Sequence, residues 1–241
     1  MITTANIFHT ATALLCLAVA VLRVRRWRDT GTRAMTVALF ALSALVATTL
    51  ANGFEWESQS IGPTYLDMFS YACAVIVSAA LIYLAARAWS FTRLLWLTHA
   101  AAAMAGGFIA TYGCLVIHYH GASQAQFMLI VTACIAGTSG LLLFVASLAA
   151  AADPELPRAA RSTLLILAAA SLLWAVGAAR RAGDNVTTEG WLTTFAQHLP
   201  WESVSYAAIL FAIAGAAGAY LPWRDEAPLK PDLEDHEPAQ H

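Results

Sequence analysis

The chain has 241 residues, of which 59% are hydrophobic and only 12% are charged, and its formal net charge is −2. Soluble globular proteins average about 45–50% apolar and about 25% charged residues, so this composition excludes an ordinary soluble domain. A basic surface for nucleic acid is also excluded, because the arginines flank apolar segments instead of lining one continuous face.

Apolar segments of about twenty residues recur along the chain, and a helix of that length crosses a hydrocarbon core of about 30 Å. We therefore predict an all-α polytopic membrane protein, with a bundle of seven transmembrane helices over residues 1–223. The predicted spans cover about 5–24, 34–54, 65–88, 94–118, 125–151, 159–179 and 201–221. Residues 224–241 are rich in Asp, Glu and Pro, which predicts a disordered acidic tail.

The loop between the first two spans determines the predicted orientation. Its five arginines are Arg23, Arg25, Arg26, Arg28 and Arg33. Lys and Arg in short loops are retained on the cytoplasmic side, so the amino terminus is placed outside and the tail inside. With this orientation, inner segments hold eleven basic residues and outer segments hold two, Arg180 and Arg181.

Two further local patterns concern helix boundaries and helix packing. Asp153 followed by Pro154 is typical of a helix start, with an N-cap residue and proline at the first helical position. Small residues at four-residue spacing favour close approach of helices in lipid. Such pairs are Ala103 and Gly107, Ala136 and Gly140, and Ala214 and Gly218.

Polar residues at the predicted outer ends of the spans are the candidates for ligand binding. They are His9, Asn52, Glu55, Asp67, His118, His120, His198 and Glu202. Neutral imidazole is the commonest metal ligand, so His9, His118, His120 and His198 are also candidate metal ligands. These histidines do not occur at a recurring spacing, which favours their interpretation as interfacial residues that bind no cofactor. A metal ion on the outer face and a b-type haem are the alternatives.

The charged residues, lysines and cysteines of the predicted spans bear on three other kinds of chemistry: ion-coupled transport, retinal binding and disulfide or thiol chemistry. No Asp, Glu, Lys or Arg lies well inside a span, which weighs against ion-coupled transport because such residues mark ion and proton pathways. A retinal Schiff base needs a lysine in the bundle, and the only lysine is Lys230 in the tail. The four cysteines lie inside apolar segments without CxxC spacing and are predicted to be free thiols.

Two groups of loop motifs carry a resemblance to a known family. The first group comprises residues 26–33, 62–63 and 65–67, and the second comprises residues 156–158, Arg161 and residues 215–223. Together they resemble the membrane module of actinobacterial seven-helix proteins that are named as transporters and whose mechanism is not established. Longer members of that group continue into a soluble cytoplasmic domain, whereas this sequence continues into the short acidic tail. The resemblance implies a seven-helix fold and supplies no catalytic residues.

These observations predict a transporter-like or sensor-like module of the plasma membrane, with a polar site for a small ligand on its outer face. One alternative is a non-catalytic structural or regulatory subunit that contacts another membrane protein or a second copy of the chain. The other is a membrane redox protein that binds haem or a metal. An enzyme is disfavoured, because no loop is long enough to form a soluble catalytic domain.

Overall fold

A computed structural model describes residues 4–25, 30–55, 65–88, 122–185, 190, 194–195, 198–200 and 202–220. These residues form six long helices and no strand, which confirms the all-helical prediction for this part of the chain. The helices are α1 (Thr4–Val24), α2 (Thr30–Glu55), α3 (Tyr65–Ala88), α4 (Ala122–Ala151), α5 (Arg158–Asn185) and α6 (Ser203–Tyr220). The predicted span 94–118 and the predicted tail 224–241 lie outside the described residues.

The start of α5 differs from the helix start predicted at Pro154. The Oδ1 atom of Asp153 accepts a hydrogen bond from the Glu155 backbone N–H at 2.9 Å, which is a local turn. Asp side chains readily bond the backbone two residues further on in such turns, so the same residues favour a turn as well as a cap. The helix begins one turn later, at Arg158, where the Pro157 carbonyl accepts from the Arg161 N–H at 3.0 Å.

The end of α5 also differs from the sequence prediction. The predicted span ends at residue 179 and leaves Arg180 and Arg181 in a loop, whereas the helix continues to Asn185. Arg and Ala are strong helix formers, so the backbone stays helical after the apolar segment has ended. Both arginines are consequently half-buried helix residues.

The helices have the length and the surface of membrane-crossing segments. Four stretches are long and apolar enough to cross a bilayer, namely Asn6–Val24, Phe69–Ala88, Ile130–Ala151 and Arg158–Gly183. On α1, the side chains of Ile7, Leu14 and Val21 repeat every seven residues and are 61%, 60% and 54% exposed. A continuous apolar stripe of this kind is disfavoured in water and suits contact with lipid. These features indicate a helical membrane protein.

The described helices form a ring in which each packs against the next, and α6 closes the ring against α1. α1 and α6 run parallel, because His9 bonds Ser205 near the start of both helices and Arg23 bonds Gly215 near their ends. α2 runs in the opposite direction, because Ser43 of α2 bonds the Ala13 carbonyl whereas the earlier Leu39 lies with Val19 beside Gly215. We call the two ends of the bundle the His9 end and the Arg23 end.

α4 and α5 pack closely through small residues. A Cβ atom at Gly140 would lie 2.7 Å from the Ser171 carbonyl oxygen and 3.1 Å from the Ala175 Cβ atom. One turn earlier, a Cβ atom at Gly137 would meet only the Ala178 Cβ atom, at 3.8 Å. The two helices are therefore antiparallel, and their backbones come closest at Gly140. This agrees with the packing role predicted for Gly140 of the small residue pair in α4.

Candidate functional site

Hydrogen bonds between described residues join α1 to α6 at three levels, and we call this contact the α1–α6 seam. At the His9 end, the His9 Nδ1 atom lies 2.8 Å from the Ser205 Oγ atom. In the middle, the Cys16 thiol donates to the Ala208 carbonyl at 3.5 Å. At the Arg23 end, the Arg23 Nη1 atom donates to the Gly215 carbonyl. The seam thus carries polar contacts along its whole length.

His9 is a packing residue in this seam. Besides its bond to Ser205, its ring lies 5.7 Å from the ring of Phe8, which in turn lies 5.4 Å from the ring of Tyr206. Neither a ligand nor a metal is needed to explain why a histidine stands at this position.

Removing the Ser205 hydroxyl is expected to weaken the seam by about 0.6 kcal/mol, with an upper limit of about 1.7 kcal/mol. The measurement is unfolding of Ser205→Ala in detergent, combined with His9→Ala in a double-mutant cycle. Ser78→Ala is a matched control, because the buried Ser78 hydroxyl bonds Ala74 within its own helix. A coupling energy near zero between His9 and Ser205 would show that this contact does not hold the helices together.

The other predicted ligand-binding residues are not brought together by the part of the chain that the structure describes. His198 is exposed, and its Nδ1 atom lies 2.6 Å from the Thr194 carbonyl oxygen. Glu202 is exposed at the start of α6, where its carbonyl accepts a hydrogen bond from the Tyr206 N–H. Asn52, Glu55 and Asp67 lie in α2 and α3, without described side chains, and His118 and His120 lie outside the described residues.

The metal site that the sequence leaves as an alternative is not tested by the described residues. Within the described ranges, no three His, Cys, Asp or Glu side chains are grouped as a metal site requires. Two of the four candidate histidines, His118 and His120, fall outside those ranges. Cys16, Cys73 and Cys134 are free thiols, as the sequence predicts, and Cys114 is not among the described residues.

A cavity lies between α2, α3, α4, α5 and α6, in the half of the bundle that contains the His9 end. The cavity is partly open, and the volume accessible to water-sized molecules inside it is about 30 Å³. It is lined by Leu45, Tyr71, Ala74, Thr132, Ala133, Ala136, Trp174, Ala178, Arg181 and Val204. Most of these side chains are apolar, and four of them are alanines, whose small size leaves the space open.

The polar residues of the lining are concentrated toward the His9 end. On α5, Trp174, Ala178 and Arg181 share one face of the helix, at positions i, i+4 and i+7. Because α5 ends at the His9 end, Arg181 is about 10 Å closer to it than Trp174, at 1.5 Å of rise per residue. Tyr71 and Thr132 likewise lie nearer the starts of their helices than the alanines that follow them in the lining. The cavity therefore has a polar end and an apolar end.

Trp174 contributes one polar atom at the deeper, apolar end. The side chain is only 3% exposed, and its indole N–H has no hydrogen-bond acceptor among the described residues. A buried donor without a partner costs about 1–3 kcal/mol, so such groups call for an explanation. A molecule that carries an acceptor and occupies the cavity would supply one.

The sequence contained a signal for Trp174 that sequence reasoning missed. Seven of the eight tryptophans lie at or near predicted span ends, where an aromatic belt accounts for them. Trp174 alone falls well inside a predicted span. A tryptophan at membrane depth needs a partner for its N–H, and that requirement marks it as a candidate site residue.

Comparisons of the chain with known proteins find no relative. No family model matches the chain, and no match is found among curated proteins or solved structures. The resemblance to actinobacterial seven-helix proteins therefore stays a prediction.

Proposed function

We propose that this chain is a multi-pass protein of the plasma membrane that binds a small molecule in the cavity, as a transporter-like or sensor-like module. In this proposal a seventh helix over residues 94–118 completes the bundle, and the His9 end faces outward. The charge distribution supports that orientation, because basic residues are concentrated in the segments assigned to the inner side.

The cavity is the observation that carries the proposal. Small-molecule sites are mostly apolar with a few polar groups, and the lining of this cavity has that composition. The buried Trp174 N–H adds a directional group that no described residue satisfies. Helix bundles commonly hold ligands in their cores, between facing helices.

The alternative of a purely structural subunit accounts less well for the alanines that line the cavity. Alanine and glycine favour helix association where they allow two backbones to approach, as Gly140 does at the Ser171 carbonyl. Ala74, Ala133 and Ala136 instead border empty space. Larger apolar side chains at these positions would fill the space and improve packing, so their small size favours a role in binding.

The test is ligand binding by the full chain in lipid nanodiscs, measured as thermal stabilisation across a panel of small neutral, anionic and cationic molecules. Reconstituted vesicles then show whether a molecule that binds is also transported. If no member of a broad panel stabilises the protein or crosses the vesicle membrane, the binding function is refuted.

Ala178→Leu is expected to fill the cavity and abolish ligand-induced stabilisation, and to destabilise the protein without ligand by about 1–3 kcal/mol, because the Ala178 Cβ atom also faces Gly137 of α4. Ala179→Leu is the matched control, because Ala179 is the next residue of α5 but is exposed and does not line the cavity. Equal loss of ligand response in both variants would place the binding site elsewhere.

A further inference from the structure

We infer that the cavity is a binding site for water, in which two water molecules in series connect the Trp174 N–H to the Thr132 hydroxyl. The inference concerns the cavity when no other molecule occupies it, and it holds whether or not the proposed small ligand binds. It follows from the buried donor of Trp174, the volume of the cavity and the position of Thr132 in the lining.

The indole N–H of Trp174 is a hydrogen-bond donor inside the bundle. Trp174 lines the cavity and is only 3% exposed, and its N–H has no hydrogen-bond acceptor among the described residues. A buried tryptophan usually bonds through this N–H, and an ordered water serves as the partner where no protein group does. Because so little of the side chain is exposed, bulk solvent does not satisfy the donor. A water molecule held in the cavity would.

The volume of the cavity corresponds to two water molecules. The space accessible to water-sized molecules is about 30 Å³. One buried water requires about 10–15 Å³, so the cavity accommodates about two. Apolar cavities stay dry, whereas water enters a cavity whose wall offers polar groups to bond it. The Trp174 N–H and the Thr132 hydroxyl are such groups.

Thr132 provides the second fixed end of the water chain. It lines the cavity from α4 and is only 6% exposed. Gly140 of α4 lies beside the turn of α5 that includes Trp174. Thr132 precedes Gly140 by eight residues and is therefore about 12 Å closer to the His9 end. One water is too short for this separation, whereas two in series, with three hydrogen bonds of about 2.8–3.0 Å, cover most of it.

The water chain places a specific demand on any ligand of the cavity. When an ordered water is displaced by a group that cannot make the same hydrogen bonds, affinity is lost. A ligand that enters the cavity therefore needs an acceptor atom at the depth of Trp174.

The experiment is proton-detected solid-state NMR of the full chain in phosphatidylcholine bilayers, with isotope-labelled tryptophan. Magnetisation transfer from water to each indole proton is measured, and the Trp174 signal is identified by its loss in Trp174→Phe. We expect transfer from water to the Trp174 proton, although this residue lies well inside a predicted span. An assigned Trp174 signal that receives no magnetisation from water overturns the inference.

Ala178→Leu fills the cavity and is expected to abolish the transfer from water to Trp174. Ala179→Leu adds the same side chain at an exposed position that is not in the described lining, and it is expected to retain the transfer. If Ala178→Leu does not fold, Ala133→Val adds a smaller volume to the same lining and carries the same expectation. Transfer that persists after the cavity is filled would place the water elsewhere and refute the site.

Thr132→Val nearly keeps the shape of the side chain and removes the hydroxyl. It is expected to weaken the transfer to Trp174 about twofold, because one end of the water chain is no longer held by a hydrogen bond. Thr138→Val is the matched control, since Thr138 is exposed on the same helix and is not among the described residues of the lining. Equal transfer in these two variants would show that Thr132 does not hold the chain.

The outcomes separate this inference from the proposed function. Water transfer to Trp174, without binding by any member of the ligand panel, supports the water site and refutes the ligand function. Ligand binding without water transfer in the free protein does the reverse.

Discussion

Gly140→Ala is expected to destabilise the bundle by about 1–3 kcal/mol, whereas Gly137→Ala is expected to be neutral or slightly stabilising. At Gly140, the added methyl group would lie 2.7 Å from the Ser171 carbonyl oxygen, a backbone atom that cannot turn aside. α4 and α5 would have to move apart along a large interface. At Gly137 the nearest atom, the Ala178 Cβ, is 3.8 Å away, which is an ordinary contact distance.

The measurement is reversible unfolding of both variants in mixed micelles, followed by circular dichroism. The two substitutions are chemically identical, occur one turn apart on the same helix, and each gains the intrinsic helix preference of alanine over glycine. Their difference therefore reports the space between α4 and α5. If Gly140→Ala proves as stable as Gly137→Ala, the two backbones do not approach as closely as the structure shows.

The helices themselves were largely predictable, because the signal for them is local. Apolar segments long enough to cross a membrane, interrupted by Pro, Gly and charged residues, indicate where helices lie along the chain. Helix ends were less predictable, as the later start of α5 at Arg158 and its extension past Arg181 show. The backbone preference for helix continues where the apolar pattern stops, so hydropathy alone places such an end too early.

The cavity could not be predicted, because its lining comes from five helices and most of it is apolar. None of the described residues that line it is among those predicted for ligand binding. Sequence reasoning selects histidines and carboxylates near span ends, whereas an alanine such as Ala133 looks the same in a packed interface and in a cavity wall. Only the three-dimensional arrangement distinguishes the two. Trp174 is the exception, since its position inside a span was visible in the sequence.

The contact between Arg23 and α6 also could not be predicted from the local sequence. In the sequence, it is the first of five arginines in a loop that determines topology. In the structure, it is only 6% exposed, and it bonds a carbonyl of a helix 192 residues away. Its side chain packs against Gly215 and Gly218, since a Cβ atom at either position would lie at the ordinary contact distance of 3.7 Å from an Arg23 side-chain atom. No local pattern indicates that α6 is the helix that packs against α1.

Arg23→Ala is therefore expected to destabilise the bundle by about 2–4 kcal/mol. The variant loses a charged hydrogen bond to the Gly215 carbonyl, worth about 1.5–3 kcal/mol, and leaves a void beside Gly218. Arg23→Met, which fills most of the void without the bond, is expected to fall between this variant and the wild type. The measurement is the same unfolding experiment in mixed micelles.

Arg25→Ala separates packing from topology. Arg25 is exposed, so its loss is expected to change stability by no more than about 0.5 kcal/mol. Both alanine variants remove one positive charge from the same loop, so any effect on membrane insertion and orientation should be equal in the two. A difference in unfolding then measures what Arg23 contributes inside the bundle. If the two variants unfold alike, Arg23 acts only through its charge in the loop, and the seam between α1 and α6 depends on its other contacts.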